Sequence, residues 1–403
     1  MTQLLEKMEE SLRNGIQSGF FPGGISSVVL AEEPPQTVIK GKLTYDAAAA
    51  DVSPETIYDL ASLTKVTATL PAILLSVQSG KILLSDPVEE YIPEICGGND
   101  SLRKKQITIF HLLTHTSGLP AWRPYFVTCD GPQDYIAAIS KEPLIGDPGR
   151  QVVYSDLGFM LLGFILERVW NLNLEELTKQ LIFEPLGMQT TGYRAKELIK
   201  NRPIAPTELG NQHEKNMTLA YLEETMQSGA FIFSKEQVEE LPWRTEVIEG
   251  TVHDGNAYYG LNGVSGHAGL FSTISDLHRY MQIWSNYNSS FIDPLLREFA
   301  RKCQTDALAP RRALGWEAAA TGGTISQVVS SCSGGDLVSD SAFGHTGFTG
   351  TSMWHDPVRQ CTLIVLTNRV YPKVNNAIIK WRKKHANVIF SEIGLPSRGR
   401  RST

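Results

Sequence analysis

The run Tyr58-Asp59-Leu60-Ala61-Ser62-Leu63-Thr64-Lys65 constrains what this chain can fold into more than any other stretch. Its first half reads as the end of a strand. Leu63, Val66, Leu70, Ile73 and Val77 then recur at the spacing of one helix face. A strand that runs into a buried helix fixes Ser62 at the helix N-terminus, where exposed backbone N–H groups and the macrodipole favour developing negative charge. Lys65, three residues on, lies on the same face. A serine hydroxyl is a poor nucleophile at neutral pH, and a nearby amine of lowered pKa can take its proton. The bland alternative is an N-cap serine beside a solvated lysine. Pro71 removes a backbone donor from this helix and predicts a kink downstream of the chemistry.

Two later segments stand in a fixed order after the first. Tyr154-Ser155-Asp156 opens a long apolar segment, Leu157 to Trp170, which reads as a buried helix. His345-Thr346-Gly347 begins a predicted strand, Phe343 to Trp354, that leads through Asp356-Pro357 into a second one, Cys361 to Thr367. Near the N-terminus, Leu5, Met8, Leu12 and Ile16 predict an amphipathic helix, followed by strands at Gly24–Leu30, Thr37–Lys40 and Thr56–Leu60. An amphipathic helix from Val374 to Ile393 closes the chain, with Ile378, Trp381 and Ile389 on one face. The two chain ends thus supply an antiparallel sheet flanked by N- and C-terminal helices, while the middle is mostly helical. This is an α+β pattern. It reads as a single domain over 1–403, with a sheet lobe at about 1–65 and 255–403 and a helical second lobe at about 66–254. The cleft between the lobes is the expected site.

Together the Ser62–Lys65, Tyr154–Asp156 and His345–Gly347 motifs resemble the active site of the serine penicillin-recognising enzymes, which include class C β-lactamases, low-molecular-mass D-alanyl-D-alanine carboxypeptidases, D-aminopeptidases and related esterases. His111 to Leu119, Pro185-Leu186-Gly187-Met188 and Gly266 to Thr273 look like the same group, so the resemblance runs from about Gly23 to about Asn368. It implies a β-lactamase/transpeptidase-like fold and an acyl-enzyme on Ser62, with Lys65 and Tyr154 moving the proton. It also implies an oxyanion hole from the backbone N–H groups of Ser62 and Phe348. His345 stands where many relatives have lysine. This version resembles certain D,D-peptidases, D-aminopeptidases and esterases more than typical β-lactamases. A histidine there can donate to a substrate carboxylate, with a charge that titrates near neutrality. Thr346 can offer its hydroxyl to the same carboxylate, and Gly347 lets substrate approach the strand edge.

Asp156 departs from the resemblance, because the residue usual at its position is Asn. An ionised Asp only accepts hydrogen bonds. It can hold Lys65 by charge, favour a substrate bearing an amine or N–H, or cap the following helix. The reading is therefore a serine hydrolase resembling D-alanyl-D-alanine carboxypeptidases, acting on small-molecule or peptide substrates with β-lactams among the candidates. An esterase, amidase or β-lactamase of the same fold is the alternative. A catalytically silent peptide- or partner-binding relative is the alternative of another class.

Composition bounds the rest. A 403-residue chain with 42% apolar and 20% charged residues is not disordered. A net charge of −6 argues against a nucleic-acid surface. The basic tail Arg398-Gly399-Arg400-Arg401 reads as a frayed terminus. Five widely spaced cysteines form no C-x-x-C, and neither a disulfide framework nor a zinc site is expected. No stretch approaches the length of a transmembrane helix, and Met1 to Glu10 lacks the features of a secretory signal. The chain as written reads as cytoplasmic, or periplasmic if an export signal was removed. His111 and His115 have metal-ligand spacing without an H-E-x-x-H, and no metal is expected. His253-Asp254 and His267 suggest a Ser-His-Asp relay, but loop-ordering hydrogen bonds are the preferred reading. No phosphate-binding or dinucleotide fingerprint is present, so no cofactor is expected. The polar segment Leu209–Leu241 reads as an insertion of unassigned role, and oligomeric state is left open.

Overall fold

The N-terminal helix α1 (Thr2–Gln17) turns Leu4, Met8 and Leu12 onto the sheet, with Leu5 and Ile16 packed at the margin, as its apolar spacing predicts. The computed structural model describes residues 2–31, 33–198, 201–228, 233–286, 289–319 and 332–394; the basic tail lies outside them. After α1 come β1 (Gly23–Leu30), β2 (Gln36–Gly41) and β3 (Tyr58–Asp59). The nucleophile-bearing segment then continues as a π-type turn, Lys65–Thr69, into helix α2 (Leu70–Gln78). Later come α3 (Asp156–Trp170), β4 (Gly192–Tyr193), α4 (Gln212–Ser228), β5 (Leu270–Ser272) and β6 (Glu317–Ala318). The chain ends with β7 (Phe343–Thr346), β8 (Ser352–Asp356), β9 (Cys361–Thr367) and helix α5 (Ile378–Glu392).

Among the described residues the main sheet has six strands in the order β2-β1-β9-β8-β7-β6, every pair antiparallel. The first and last parts of the chain meet at its centre, where Ile25 faces Leu366 across β1 and β9. Helices α1 and α5 lie together: the Trp381 indole donates to the Ser11 carbonyl at 3.0 Å, and His385 bridges the Ser11 and Ser26 hydroxyls at 2.8 Å each. A second sheet, β3-β5-β4, is small.

Three predicted elements differ in detail. The strand expected over Thr56–Leu60 pairs only at Tyr58–Asp59, because Ile57 gives its N–H to Pro203 and Leu60 gives its own to Leu270. The strand expected from Phe343 to Trp354 is a hairpin. Its turn contains Gly350 at φ +121°, a conformation open to glycine, and closes with the Gly347 N–H donating to Thr351 O at 2.8 Å. The irregularity set by Pro71 falls upstream of it, beginning at Lys65 itself. Proline has no N–H to return to the preceding turn, and the helix widens, with Leu70 N–H bonding the Lys65 carbonyl five residues back. The expected stripe runs through that turn: Leu63, Val66, Leu70 and Ile73 are fully buried and Val77 is partly buried. Each such leucine or isoleucine contributes roughly 1.5–3 kcal/mol.

Candidate active site

Ser62 is presented by a strained corner. Ala61, the residue before it, has φ +46°, which costs a residue with a Cβ, and the Ala61 N–H is tied to Asp59 Oδ1 at 2.8 Å. Leu63, Thr64 and Lys65 then close the first helical turn onto Leu60, Ala61 and Ser62. The turn between β7 and β8 is latched to this corner. The Thr349 hydroxyl donates to the Asp59 carbonyl at 2.6 Å and the Thr351 hydroxyl to the Leu60 carbonyl at 3.2 Å. Gly347 passes so close that a Cβ on it would lie 2.3 Å from Leu60 O. Neither the Ser62 nor the Phe348 N–H donates to a protein acceptor among the described residues. Two donors on either side of this latch are thus left for a ligand oxygen.

Lys65 is wholly buried, with its Nζ 3.1 Å from Ser62 Oγ, 3.1 Å from the His267 carbonyl and 2.7 Å from Asp156 Oδ1. The Nζ also lies 5.0 Å from the centre of the Tyr154 ring. Burial works to lower its pKa, but the Asp156 carboxylate and then the Tyr154 oxygen outweigh burial, and the net shift is upward. The sequence reading expected an amine of lowered pKa. Asp156 shifts it towards the ammonium form instead. Nor is Asp156 the helix cap. Ser155 takes that task, its Oγ accepting the Gly158 N–H at 3.3 Å, and this leaves the Asp156 carboxylate free to meet Lys65.

Tyr154 is oriented by neighbours from three parts of the chain. The His115 ring lies 4.6 Å from it at 38°, and His115 also holds the adjoining backbone through Ser155 N–H to Nδ1 at 3.0 Å and Val153 N–H to its carbonyl at 2.8 Å. His111 sits elsewhere, completing a capping box with Thr108, so the two imidazoles do not converge. The Arg312 guanidinium lies 5.1 Å from the Tyr154 ring centre, and the His345 ring 5.8 Å away. Among the described residues no carboxylate lies within ion-pair distance of Arg312, although its charge acts on the Glu317 carboxylate, and its Nε is buried without a partner. The sequence reading missed this residue, which no motif marks. Only the fold brings the loop before β6 to the site.

The structure corrects the role expected of His345. The residue is buried, and its Nδ1–H donates to the Thr346 carbonyl at 2.9 Å, so Nε2 offers only a lone pair. Burial first, then the charges of Arg312 and Lys65, hold its pKa well below the ordinary histidine value. Its neutral form is favoured at a position where the sequence suggested a charge titrating near neutrality. Thr346 and Phe348 are more open, with Phe348 37% exposed. The Phe348 ring stacks on His213 at 5.4 Å and on His253 at 5.6 Å, with the Arg369 guanidinium 4.4 Å from its centre. His213 comes from α4, so the inserted segment contributes a wall beside the free Phe348 N–H.

His253 pairs with Glu208 at 3.0 Å, and His267 bridges Asp254 at 3.0 Å and the Ser265 hydroxyl at 2.7 Å. Burial opposes the charged form of Asp254, but His267 outweighs it and holds the carboxyl at about 2. Ser265 is 2% exposed, so this trio orders the loop whose carbonyl receives Lys65.

The model of the family described as Beta-lactamase matches residues 37–387. A protein of Salmonella agona named "Putative D-alanyl-D-alanine carboxypeptidase" is 33% identical over 337 residues, covering 80% of this chain and 71% of that protein. The fold is similar to that of EstCE1, described as a hydrolase with promiscuous acyltransferase activity. The TM-score is 0.71 at 15% identity, over 96% of this chain and 99% of that one. It is also similar to a class C β-lactamase, with a TM-score of 0.70 at 17% identity, over 98% and 97% of the two chains. Among the described residues no single helix is long and apolar enough to cross a membrane.

Proposed function

This chain belongs to the beta-lactamase family and is a serine hydrolase of that superfamily, and we propose that it removes the C-terminal residue from D-alanyl-D-alanine-type peptides through an acyl-enzyme on Ser62. One observation carries the reading. A half-buried serine hydroxyl 3.1 Å from the Nζ of a buried lysine, a tyrosine ring 5.0 Å from the same Nζ, and two N–H groups without a protein acceptor support it. The printed name of the Salmonella relative supports the substrate class.

In this reading Tyr154 reacts as the phenolate, and Ser62 Oγ gives it a proton on attacking the scissile carbonyl. Lys65 is held as an ammonium by Asp156, so it acts as the counter-charge beside both oxygens and not as the base. The Ser62 and Phe348 N–H groups receive the oxyanion. Collapse breaks the C–N bond, and Tyr154 returns the proton to the departing amine nitrogen. Water then attacks the ester with Tyr154 again taking a proton, and Ser62 leaves as the hydroxyl. Arg312 and the Thr346 hydroxyl hold the terminal carboxylate of the leaving residue, a task that a neutral His345 does not perform.

A second reading, an esterase of the same fold, draws on the neutral His345, since an ester substrate brings no carboxylate to that strand edge. The catalytically silent alternative is disfavoured by the intact Ser62–Lys65–Tyr154 geometry. The test is release of D-alanine from a D-Ala-D-Ala-terminated peptide, measured beside hydrolysis of a neutral p-nitrophenyl ester. Release that is abolished by Ser62→Ala supports the peptidase reading. Ester turnover alone replaces it with the esterase.

A further inference from the structure

We propose that the acyl residue of the substrate carries a free amino group, held by Asp156. The inference rests on Ser62 being the nucleophile and narrows the substrate to short peptides with an unblocked amine. Asp156 Oδ1 is the buried oxygen that meets Lys65 at 2.7 Å, and Lys65 in turn meets Ser62 Oγ at 3.1 Å. The carboxylate therefore stands two polar contacts from the reacting hydroxyl. Its side chain is 18% exposed, and because Oδ1 is buried that exposure belongs to the rest of the group.

Three features leave this group an unused edge. It sits on the first turn of the 15-residue helix α3, where the helix dipole favours negative charge. The capping task is taken by Ser155, and the Asp156 N–H is engaged by the Ala121 carbonyl at 2.8 Å. The Lys65 ammonium occupies one oxygen only. A carboxylate accepts and never donates. A substituent arriving next to the acyl carbonyl must therefore present N–H to it. An amide carbonyl in the same place would set lone pairs against lone pairs, whereas an amine or ammonium makes a charge-assisted bond. With Arg312 beside Tyr154, the site offers an anionic group and a cationic group around one reacting carbonyl. That pattern matches a zwitterionic dipeptide better than the end of a long, N-acylated chain.

The experiment compares kcat/KM for D-Ala-D-Ala and N-acetyl-D-Ala-D-Ala in the wild-type protein and in Asp156→Asn. Wild type is expected to favour the free dipeptide by about tenfold to a hundredfold, the scale of one hydrogen bond to a charged group. Asp156→Asn is expected to collapse or invert that ratio, because the Asn amide donates to the acetyl carbonyl. Any change in Lys65 strikes both substrates alike and cancels in the ratio. Wild type alone supplies a second reading that needs no variant: its preference should shrink as pH rises past about 8, where an α-amino group loses its charge. A wild-type preference for the acetylated peptide, or the same ratio in both proteins, overturns the inference while leaving the acyl-enzyme intact. Failure of both peptides to acylate Ser62 removes the underlying reading, and the inference with it.

Discussion

Lys65 Nζ stands 2.7 Å from Asp156 Oδ1 where the lysine has no exposed surface, and this contact decides what the lysine can do. Without it burial would favour the neutral amine; with it the ammonium persists above the ordinary lysine pKa. A charged Lys65 is therefore expected in the active form, and activity should hold until the pH exceeds the ordinary lysine range. Asp156→Asn removes the largest influence opposing burial, so the basic limb of kcat/KM against pH should move to lower pH. An unmoved limb would mean that Asp156 does not set the charge on Lys65.

Tyr154→Phe deletes one oxygen and no bulk, so thermal stability should stay close to that of the parent. The rate of acylation should fall by roughly 10²–10⁴, as for a positioned acid–base group. A Phe variant that acylates at nearly the parental rate returns the base role to Lys65.

Arg312→Gln should raise KM about tenfold to a hundredfold for peptides ending in a carboxylate, the range for a lost bond to a charged group, and spare a neutral ester. His345 is already neutral through the physiological range, and arginine does not titrate there. The ratio of carboxylate-substrate to ester activity should therefore stay flat from pH 6 to 8. A ratio that drops as pH rises through this window would restore the charged His345 that the sequence suggested.

Much of the site was legible because its motifs are local. Ser62 and Lys65 share a helix face by spacing alone, and the apolar run after Tyr154-Ser155-Asp156 announces a buried helix whose start is fixed. What stayed hidden depends on contacts between distant segments. The charge of Lys65 follows from Asp156 and the neutrality of His345 from its depth. The carboxylate-holding role proposed for Arg312 rests on a loop that joins the site only after folding. The β7–β8 hairpin was read as one strand because Phe343 to Trp354 is rich in strand-forming residues, and only the latch of Thr349 and Thr351 onto Asp59 and Leu60 shows why the chain turns there.

Acid should destabilise the fold through histidines buried in neutral form. Burial lowers His385 to about 3, and burial with the charge of Arg301 lowers His355 to about 3. Each folded value lies below the unfolded one of about 6.5. The contribution is thus fully present above pH 6.5 and is lost as pH falls towards 3, by about 2 kcal/mol per histidine at pH 5. Urea denaturation at pH 7.5 and 5 measures the slope. In His385→Gln the loss should be shallower, and an equal loss in both proteins would exclude His385 as its source.

The acyl-enzyme itself is the most direct test. The protein is incubated with a fluorescent penicillin and, separately, with a D-Ala-D-Ala thioester, then quenched in acid and mapped by peptide mass spectrometry. One acyl group per chain is predicted on the peptide containing Ser62, and none in Ser62→Ala. An adduct on Ser265, the hydroxyl that bonds His267 beside Asp254, or no adduct with either reagent, would contradict the account.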